Sequence, residues 1–470
     1  MAEQILPGVY IEVRPEALIV GGPVSVGNIG IVGTAEFGPV NEAQVLGSYA
    51  DAISTFGPYD AFDAPEVTNK PLTLVRALEI AYRHGASKVF AVRVAGTTPA
   101  PAAPASLGAT NDANFSVQAK TAGTAGNQLK VKITHPSATE ALVTFERGSV
   151  KESYTVTSVN ELKTQAAASS LVVVSAKTGG SLTALPDLLA STPFVGGESG
   201  ADASPSDYED GLAVLLNQDA HIIVAAGLSD DIIADELNAH VQAASTDEVK
   251  RDRIAVVGSR PAATPINPSA FIAAAGTPAL ESDRVIYVMP GIKANDAAAK
   301  KEVTLPGAYA AAAIAGMLSA RAPHISLTNK VLNVGALEVD FNAAQLSSLV
   351  QAGVLALEHR RGQRVVKGIT TDPGAFQQIT TRRIVDFAKF GVRAAAEPYI
   401  GLLNNDRVRK ALKGSINGFL ADMVTDEMLE SYDLDVTATR DDEIRGIARV
   451  TMTVRPTFSI DFIKVVMFLG

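Results

Sequence analysis

Residues 221–257 read HIIVAAGLSDDIIADELNAHVQAASTDEVKRDRIAVV. His221 to Ala225 is a short apolar run and Arg253 to Val257 is another, while Ile232 to Ala244 between them carries apolar residues at helical spacing. Strand, helix, strand in one stretch predicts parallel strands joined by a crossover helix, because parallel neighbours need a long connection. The same alternation continues outward. A helix over Tyr208 to Leu216 precedes the stretch; a helix near Ser269 and a strand over Arg284 to Met289 follow it. Helices are expected over Pro306 to Ala320, Ala343 to Ala352, Arg382 to Ala396 and Asn405 to Met423. Val354 to His359 and Arg364 to Ile369 read as strands paired across Arg361-Gly362. On the N-terminal side, Val24 to Gly33 is a strand, Leu72 to His84 a helix that Gly85 can cap, and Ser87 to Val94 a strand. The fold class expected is therefore α/β and multidomain, with helices on the faces of a mainly parallel sheet.

Between these segments the pattern changes. Thr97 to Ala105 is a proline-rich linker, and Phe115 to Ala119, Gln128 to His135, Ala141 to Glu146, Ser153 to Thr157 and Leu171 to Ser175 are short strands separated by turn residues. A loop from Gly196 to Pro205 returns the chain to its earlier style. The division expected is a middle α/β domain over 21–96 and 206–342, a β-rich insertion over 97–205, and a C-terminal domain over 343–448. Two terminal arms, 1–20 and 449–470, flank these. Val9, Ile11 and Val13 alternate with Tyr10, Glu12 and Arg14, and Arg449 to Leu469 reads as a closing strand. A strand at a terminus needs a sheet to join. If that sheet belongs to a second copy, the arms are connectors: Pro7, Gly8, Val9, Tyr10, Ile11, Glu12 and Val13 at one end, Val450, Thr451, Met452, Thr453, Val454, Phe458, Ile460 and Phe462 at the other.

Composition narrows the function classes. The chain has 470 residues, is 47% hydrophobic and 19% charged, and contains no cysteine, so it can bury large cores and has neither disulfides nor thiolate chemistry. The start, Met-Ala-Glu-Gln-Ile-Leu-Pro, has no basic and apolar leader, which predicts a protein that stays in the cytosol. Ala308 to Ser319, the most apolar run, is too short to span a bilayer and is expected to be a buried helix. A net charge of −10 argues against coating nucleic acid. From Arg360 to Lys413, however, twelve Lys and Arg face four acids, and Asp422 to Glu443 then holds nine acids and one Arg. Such blocks pair within a subunit or across a boundary. Arg407, Arg409, Lys410 and Lys413 cluster over two helical turns and could face an acidic partner.

No catalytic or cofactor motif emerges. Gly27, Gly30 and Gly33 are spaced GxxGxxG rather than GxGxxG, there is no P-loop, and Gly197-Glu198-Ser199-Gly200 misses the GxSxG spacing. His84, His135, His221, His240, His324 and His359 lie far apart, without the spacing of metal ligands. Asp441-Asp442-Glu443 reads as a solvated turn on an extended loop. No enzyme activity, cofactor or metal is expected.

The order of several segments nevertheless resembles a family. Pro7-Gly8-Val9-Tyr10-Ile11-Glu12, Ile31-Val32-Gly33-Thr34-Ala35 with Gly38-Pro39, Asp207-Tyr208-Glu209-Asp210-Gly211-Leu212 and Pro306-Gly307-Ala308 are similar to segments of the tail sheath proteins of contractile phages and related injection systems. Gly353-Val354-Leu355-Ala356-Leu357, Gly368-Ile369-Thr370-Thr371, Arg382-Arg383-Ile384-Val385-Asp386 and Val450-Thr451-Met452-Thr453-Val454-Arg455-Pro456 extend the likeness over nearly the whole chain. Ala322-Pro323-His324 departs from it, lacking the Trp-x-x-Pro-Ala-Asn type of sequence. The resemblance implies a subunit of hexameric rings stacked around a tail tube, with arms that extend a neighbour's sheet and a C-terminal domain facing the tube. It implies a sheath that contracts to drive the tube through a bacterial envelope. The tube, baseplate and tail terminator would be its partners, the virion tail its place, and Arg407, Arg409, Lys410 and Lys413 candidates to face the tube. A non-contractile self-assembling shell protein and an α/β enzyme are the alternatives.

Overall fold

The computed structural model describes residues 27–62, 72–96, 98–148, 150–200, 202–261, 267–276, 278 and 280–468. The expected N-terminal arm, Pro7 to Val13 included, lies outside these residues.

The chain opens with β1 (Ile29–Gly33), β2 (Ala43–Leu46), α1 (Tyr49–Phe56), α2 (Leu74–Arg83) and β3 (Val89–Arg93). The insertion contributes β4 (Ala103–Pro104), α3 (Ala109–Asn114), β5 (Phe115–Ala119), β6 (Lys130–Ser137), β7 (Glu140–Arg147), β8 (Val150–Val156), α4 (Val159–Ala166), β9 (Val172–Ala176) and β10 (Leu189–Val195). The body resumes with α5 (Pro205–Leu215), β11 (Ile222–Ala225), α6 (Asp230–Ala244), β12 (Ile254–Gly258), α7 (Pro268–Ala275), β13 (Val285–Met289), β14 (Ile292–Asp296), β15 (Lys301–Leu305) and α8 (Gly307–Ser319). Then come β16 (Ala336–Leu337), α9 (Ala343–Gln351), β17 (Val354–His359), β18 (Gln363–Val365), α10 (Ile379–Ala396), α11 (Asp406–Thr425), β19 (Leu429–Thr437), α12 (Arg440–Arg445) and β20 (Arg449–Pro456).

Eight strands form the main sheet in the order β18-β17-β13-β12-β11-β1-β3-β2. The six inner strands are parallel, and β2 and β18 close the edges antiparallel. One face buries α2 and α8 against Ile29, Val224, Val256 and Leu355, and the other buries α5, α6 and α7 against Val32, Ile223, Val257 and Tyr287. The inner strands are covered on both faces, which is why β1, β11, β12 and β13 are uninterrupted apolar runs rather than alternating ones. The buried-helix expectation holds: Gly307 to Leu318 of α8 is buried all round. Its small residues let it lie close to its neighbours. A Cβ on Gly258 would come within 1.9 Å of the Gly307 backbone, so the end of β12 and the start of α8 touch through glycine alone.

The insertion packs β4-β10-β6-β7-β8 and the β5–β9 pair around Phe115, Val131, Phe145, Leu162 and Phe194. Its two connections run side by side as a neck, with Ala100 and Glu198 exchanging backbone hydrogen bonds of 3.0 Å. Below the neck, Glu36 accepts from Thr124 Oγ1 at 2.6 Å, and Arg93 donates to the carbonyls of Gly38 at 2.6 Å and Ser199 at 2.7 Å.

Three expectations need correction. The main sheet runs through β17 and β18 to Val365, past a boundary at 342, and a separate core begins at Ile384. The closing strand does not run from Arg449 to Leu469: β20 ends at Pro456 and pairs antiparallel with β19 of its own chain, Met452 opposite Leu434. Asp441-Asp442-Glu443 is not extended loop but the first turn of α12, where Asp442 completes a capping box with Thr439.

Candidate assembly interface

The C-terminal helices α10 and α11 cross at Gly391, where a Cβ would come within 1.9 Å of the Phe419 ring, and Phe387 lies 5.6 Å from Phe419. Ile384, Ala388, Leu412, Ile416, Leu420 and Met423 form the core between them. The β19–β20 hairpin covers this core with Tyr432, Leu434, Val436, Val450 and Val454, all half-buried. Asp433, Asp435, Thr451, Thr453 and Arg455 point the other way and are exposed. The hairpin is a two-stranded sheet, so each strand keeps one outer edge with no strand partner among the described residues. Such edges invite a further strand.

The arm residues expected from sequence are therefore divided. Val450, Thr451, Met452, Thr453 and Val454 belong to β20 and pair with Val436, Asp435, Leu434, Asp433 and Tyr432. They form a sheet within the chain rather than a free end. Phe458, Ile460 and Phe462 follow it, 64%, 80% and 79% exposed, and the exposed apolar run continues through Ile463, Val465, Val466, Met467 and Phe468. A contiguous apolar segment of this size in water marks a binding surface. The segment is anchored at its root: Thr457 donates to the carbonyls of Met428 and Glu427 at 3.1 and 2.7 Å, and Asp461 lies 3.7 Å from Lys367.

The two charged blocks meet within the chain. Arg409 donates to Glu443 at 3.0 Å and to Asn404 Oδ1 at 2.9 Å, so it ties the start of α11 to α12. Lys413 reaches Asp435 on the hairpin at 3.2 Å, and Lys410 reaches Asp406 one turn back at 2.7 Å. Arg407 also has a partner. Arg449 donates to both oxygens of Asp442 at 2.9 and 2.7 Å. With the Thr439 donors it holds that carboxyl well below the usual carboxylate range. Of the four basic residues singled out, Lys410 is the most open of the three whose pairs are resolved, its side chain 76% exposed.

A second charged cluster, not legible in the sequence, joins α10 to the sheet. Asp386 accepts from Arg284 at 2.8 Å and from Arg382 at 2.6 Å, and Arg382 also reaches Asp283 at 2.8 Å. Asp252 takes Arg393 at 2.5 Å, Arg284 at 3.2 Å and Lys389. Burial pushes the Asp252 carboxyl up, and the Lys389 and Arg393 charges more than offset it, leaving it below its ordinary value.

The crevice at the C-terminal ends of β1 and β11, where strand order reverses and an α/β sheet commonly holds a nucleotide, is filled. Thr73 Oγ1 lies 3.1 Å from Tyr208 Oη, which donates to the carbonyl of Ala226 at 2.9 Å, and Thr34 N donates to Thr73 at 3.0 Å. A Cβ on Gly33 would meet Thr73 and Leu74 within 3.0 Å, so this glycine serves packing. Of the histidines, His240 Nε2 faces the Arg253 guanidinium at 3.0 Å, and burial and that charge push its pKa down to about 3. No group of three or more metal-ligating side chains occurs among the described residues, and no described helix is long and apolar enough to cross a membrane.

Residues 201–371 match the model of the phage tail sheath protein central domain, and residues 371–469 that of the phage tail sheath C-terminal domain. Together they cover more than half of the chain. A tail sheath protein of Mycobacterium phage Bxz1 is 25% identical over 281 residues; the match covers 57% of this chain and 46% of that protein, so the chain spans about half the length of the curated relative it matches. The fold is similar to that of a sheath tail protein from Desulfitobacterium hafniense, with a TM-score of 0.68 at 19% identity over 96% of this chain and all of the other. A sheath tail protein from Listeria innocua aligns with a TM-score of 0.65 at 16% identity over 94% and 95% of the two chains. The helical sheath of the anti-feeding prophage in its contracted state aligns with 0.56 at 16% identity over 99% of each.

Proposed function

The chain belongs to the phage tail sheath protein family, and we propose that it is the repeating subunit of a contractile sheath: stacked hexameric rings around a tail tube that shorten and drive the tube through a bacterial envelope. The observation that carries this reading is the exposed apolar segment Thr457 to Phe468, leaving a subunit whose own hairpin has open outer edges. At about 3.3 Å per residue, those twelve residues extend roughly 40 Å, enough to reach an adjacent subunit. In this reading Phe458, Ile460 and Phe462 are given to a neighbour, while Val450 to Val454 belong to the hairpin that receives. Pro7 to Val13 is the second strand to be given.

Strand addition suits a lattice that must rearrange, because main-chain hydrogen bonds tolerate reorientation of the bodies they join. Burying one of these apolar side chains contributes about 1.5–3 kcal/mol, and ordering the arm backbone costs about 1–2 kcal/mol per residue. The net gain per arm is small, and stability comes from many linked arms acting together. The body moves as a unit, since the Arg284–Asp386–Arg382 cluster fastens α10 to the sheet. Shortening of the sheath is then rigid-body movement of subunits that the arms keep linked. The partners are further copies of the chain, the tail tube, the baseplate and the tail terminator, and its place is the tail of a virion or contractile particle, assembled in the bacterial cytoplasm. No catalytic step or cofactor is involved. Lys410, with Arg407 and Lys413, is the basic surface offered to the tube, and Arg409 supports it through Glu443.

The test is sedimentation of the full chain beside a chain ending at Pro456 and one lacking residues 1–15. Both shortened chains are expected to fold as monomers and fail to pellet. If either pellets with the full chain, its arm is not a connector.

A further inference from the structure

A cavity of about 310 Å³ lies between α6 and the end of α7, with Tyr287 of β13 as its floor and Asp230, Asp231, Asp235 and Arg260 around it. Tyr287 is 1% exposed, and its hydroxyl has no hydrogen-bond partner among the described residues; neither has Asp230 Oδ1. Burial, and then the nearby Asp230 carboxyl, raise the Tyr287 hydroxyl's pKa, yet neither atom reaches hydrogen-bond geometry, and a buried polar group costs free energy until something meets it. Arg260 lies 3.5 Å from Asp231, and its charge also reaches Asp230 without offsetting burial and the Asp231 charge there. Burial first, and the Asp231 charge second, push the Asp230 carboxyl up to about 6. The stretch of chain that holds α6 is itself acidic: residues 202–249 contain eleven Asp and Glu and no Lys or Arg. What fits is a cation with several donors, entering from outside.

The chain presents such a group elsewhere. Hairpin β17–β18 ends at the rim of the sheet in His359-Arg360-Arg361-Gly362. There Arg361, at φ 54°, and Gly362, at φ 101°, make the turn. A positive φ is costly for any residue with a Cβ, and Asn or Gly fill such positions more easily. Arg360 and Arg364 are held by Asn329, at 3.1 and 2.7 Å, and Arg360 also by Glu358 at 2.8 Å. Arg361 is exposed, and its side chain makes no ion pair or hydrogen bond among the described residues. A strained turn that holds out one unengaged guanidinium is an observation that points to use.

We propose that the cavity receives the Arg361 side chain of a second copy of this chain, the guanidinium engaging Asp230 and the Tyr287 hydroxyl while Asp235 lines the entry. The inference rests on the sheath reading, which supplies the second copy. The two surfaces are different patches, so the contact is heterologous and propagates as a ring or helix rather than closing as a two-fold dimer. Arg suits the role better than Lys because its planar fork can serve a carboxylate and a hydroxyl at once.

The experiment uses the absence of cysteine in the chain. Full-length protein carrying Arg361→Cys and Asp235→Cys is assembled, treated with a short bis-maleimide, and run on denaturing gels beside each single variant; pelleting is measured in parallel. The contact predicts a ladder of covalent oligomers in the double variant alone. Polymer that pellets without a ladder overturns this contact and leaves the sheath reading standing, whereas the absence of any polymer from the wild-type chain overturns both. As a second arm, Arg361→Glu is expected to raise the concentration needed for half-maximal pelleting at least about tenfold at 0.1 M salt. Adding Asp235→Arg recovers part of that loss; no change with Arg361→Glu, or no recovery on the swap, contradicts the proposal.

Discussion

Asp386 accepts hydrogen bonds from two buried guanidinium groups, Arg284 and Arg382. Replacing it with alanine leaves both charges in a low-dielectric junction, and loss of one partner from a buried pair costs about 3–5 kcal/mol. Urea denaturation of Asp386→Ala is expected to show a loss of that size; a loss under 1 kcal/mol would mean that the cluster is hydrated. Its neighbour Asp252 has a folded pKa below the unfolded value. The unfolded state then binds more protons on the acid side, so this contribution is present above about pH 4 and is lost as pH falls through the folded pKa. Asp230 is the opposite case. Its folded pKa of about 6 exceeds the unfolded one, so its contribution is present below about pH 4 and lost as pH rises through 6. Asp230→Asn is therefore expected to melt higher than wild type at pH 7 and to show no gain at pH 4 in a thermal scan. Neither site was legible in the sequence. Arg382 and Asp386 are seen there only as a helix opening, and their partners Asp283 and Arg284 stand about a hundred positions away.

Among the elements, the close approach of β12 to α8 sets a sharp limit. A Cβ on Gly258 would sit 1.9 Å from the Gly307 carbonyl carbon and oxygen, and backbone cannot rotate aside as a side chain can. Gly258→Ala is expected to cost about 1–3 kcal/mol, the range of an overpacked core, measured against wild type by urea denaturation. The hairpin gives a second limit. Cutting the chain after Arg449 removes Val450 and Val454 from the core over α11 and should lower the melting temperature, while a chain ending at Pro456 should melt with the full-length protein. The parallel strands and their helices were readable because burial on both faces writes continuous apolar runs at strand length. β19 was not: Tyr432, Leu434 and Val436 alternate correctly, but Asp433 and Asp435 between them make the stretch read as an acidic block. The closing strand was read too long because the alternation of Val450, Met452 and Val454 resumes in phase at Phe458, Ile460 and Phe462, so Pro456 between them was passed over although it is where β20 stops. Only the partner changes, from the chain's own β19 to open solvent.

For the whole molecule, the account rests on the subunit being incomplete by itself. Its main sheet is closed by antiparallel edges and its α/β crevice is filled by Thr73 and Tyr208. Its apolar C-terminal segment lies exposed. The charged blocks, which the sequence left free to pair within or between subunits, pair within through Arg409–Glu443 and Lys413–Asp435. Under the proposed function, Lys410, whose side chain is 76% exposed, is the residue to test for tube binding. Lys410→Glu is expected to weaken assembly on a tube at 0.1 M salt while tube-free polymer forms normally, measured by co-sedimentation with purified tube. The most direct measurement is a negative-stain image of the purified full-length protein at high concentration. Hollow sleeves of uniform diameter with six-fold end views are expected; closed icosahedral shells, or monomers at every concentration tried, would contradict the account.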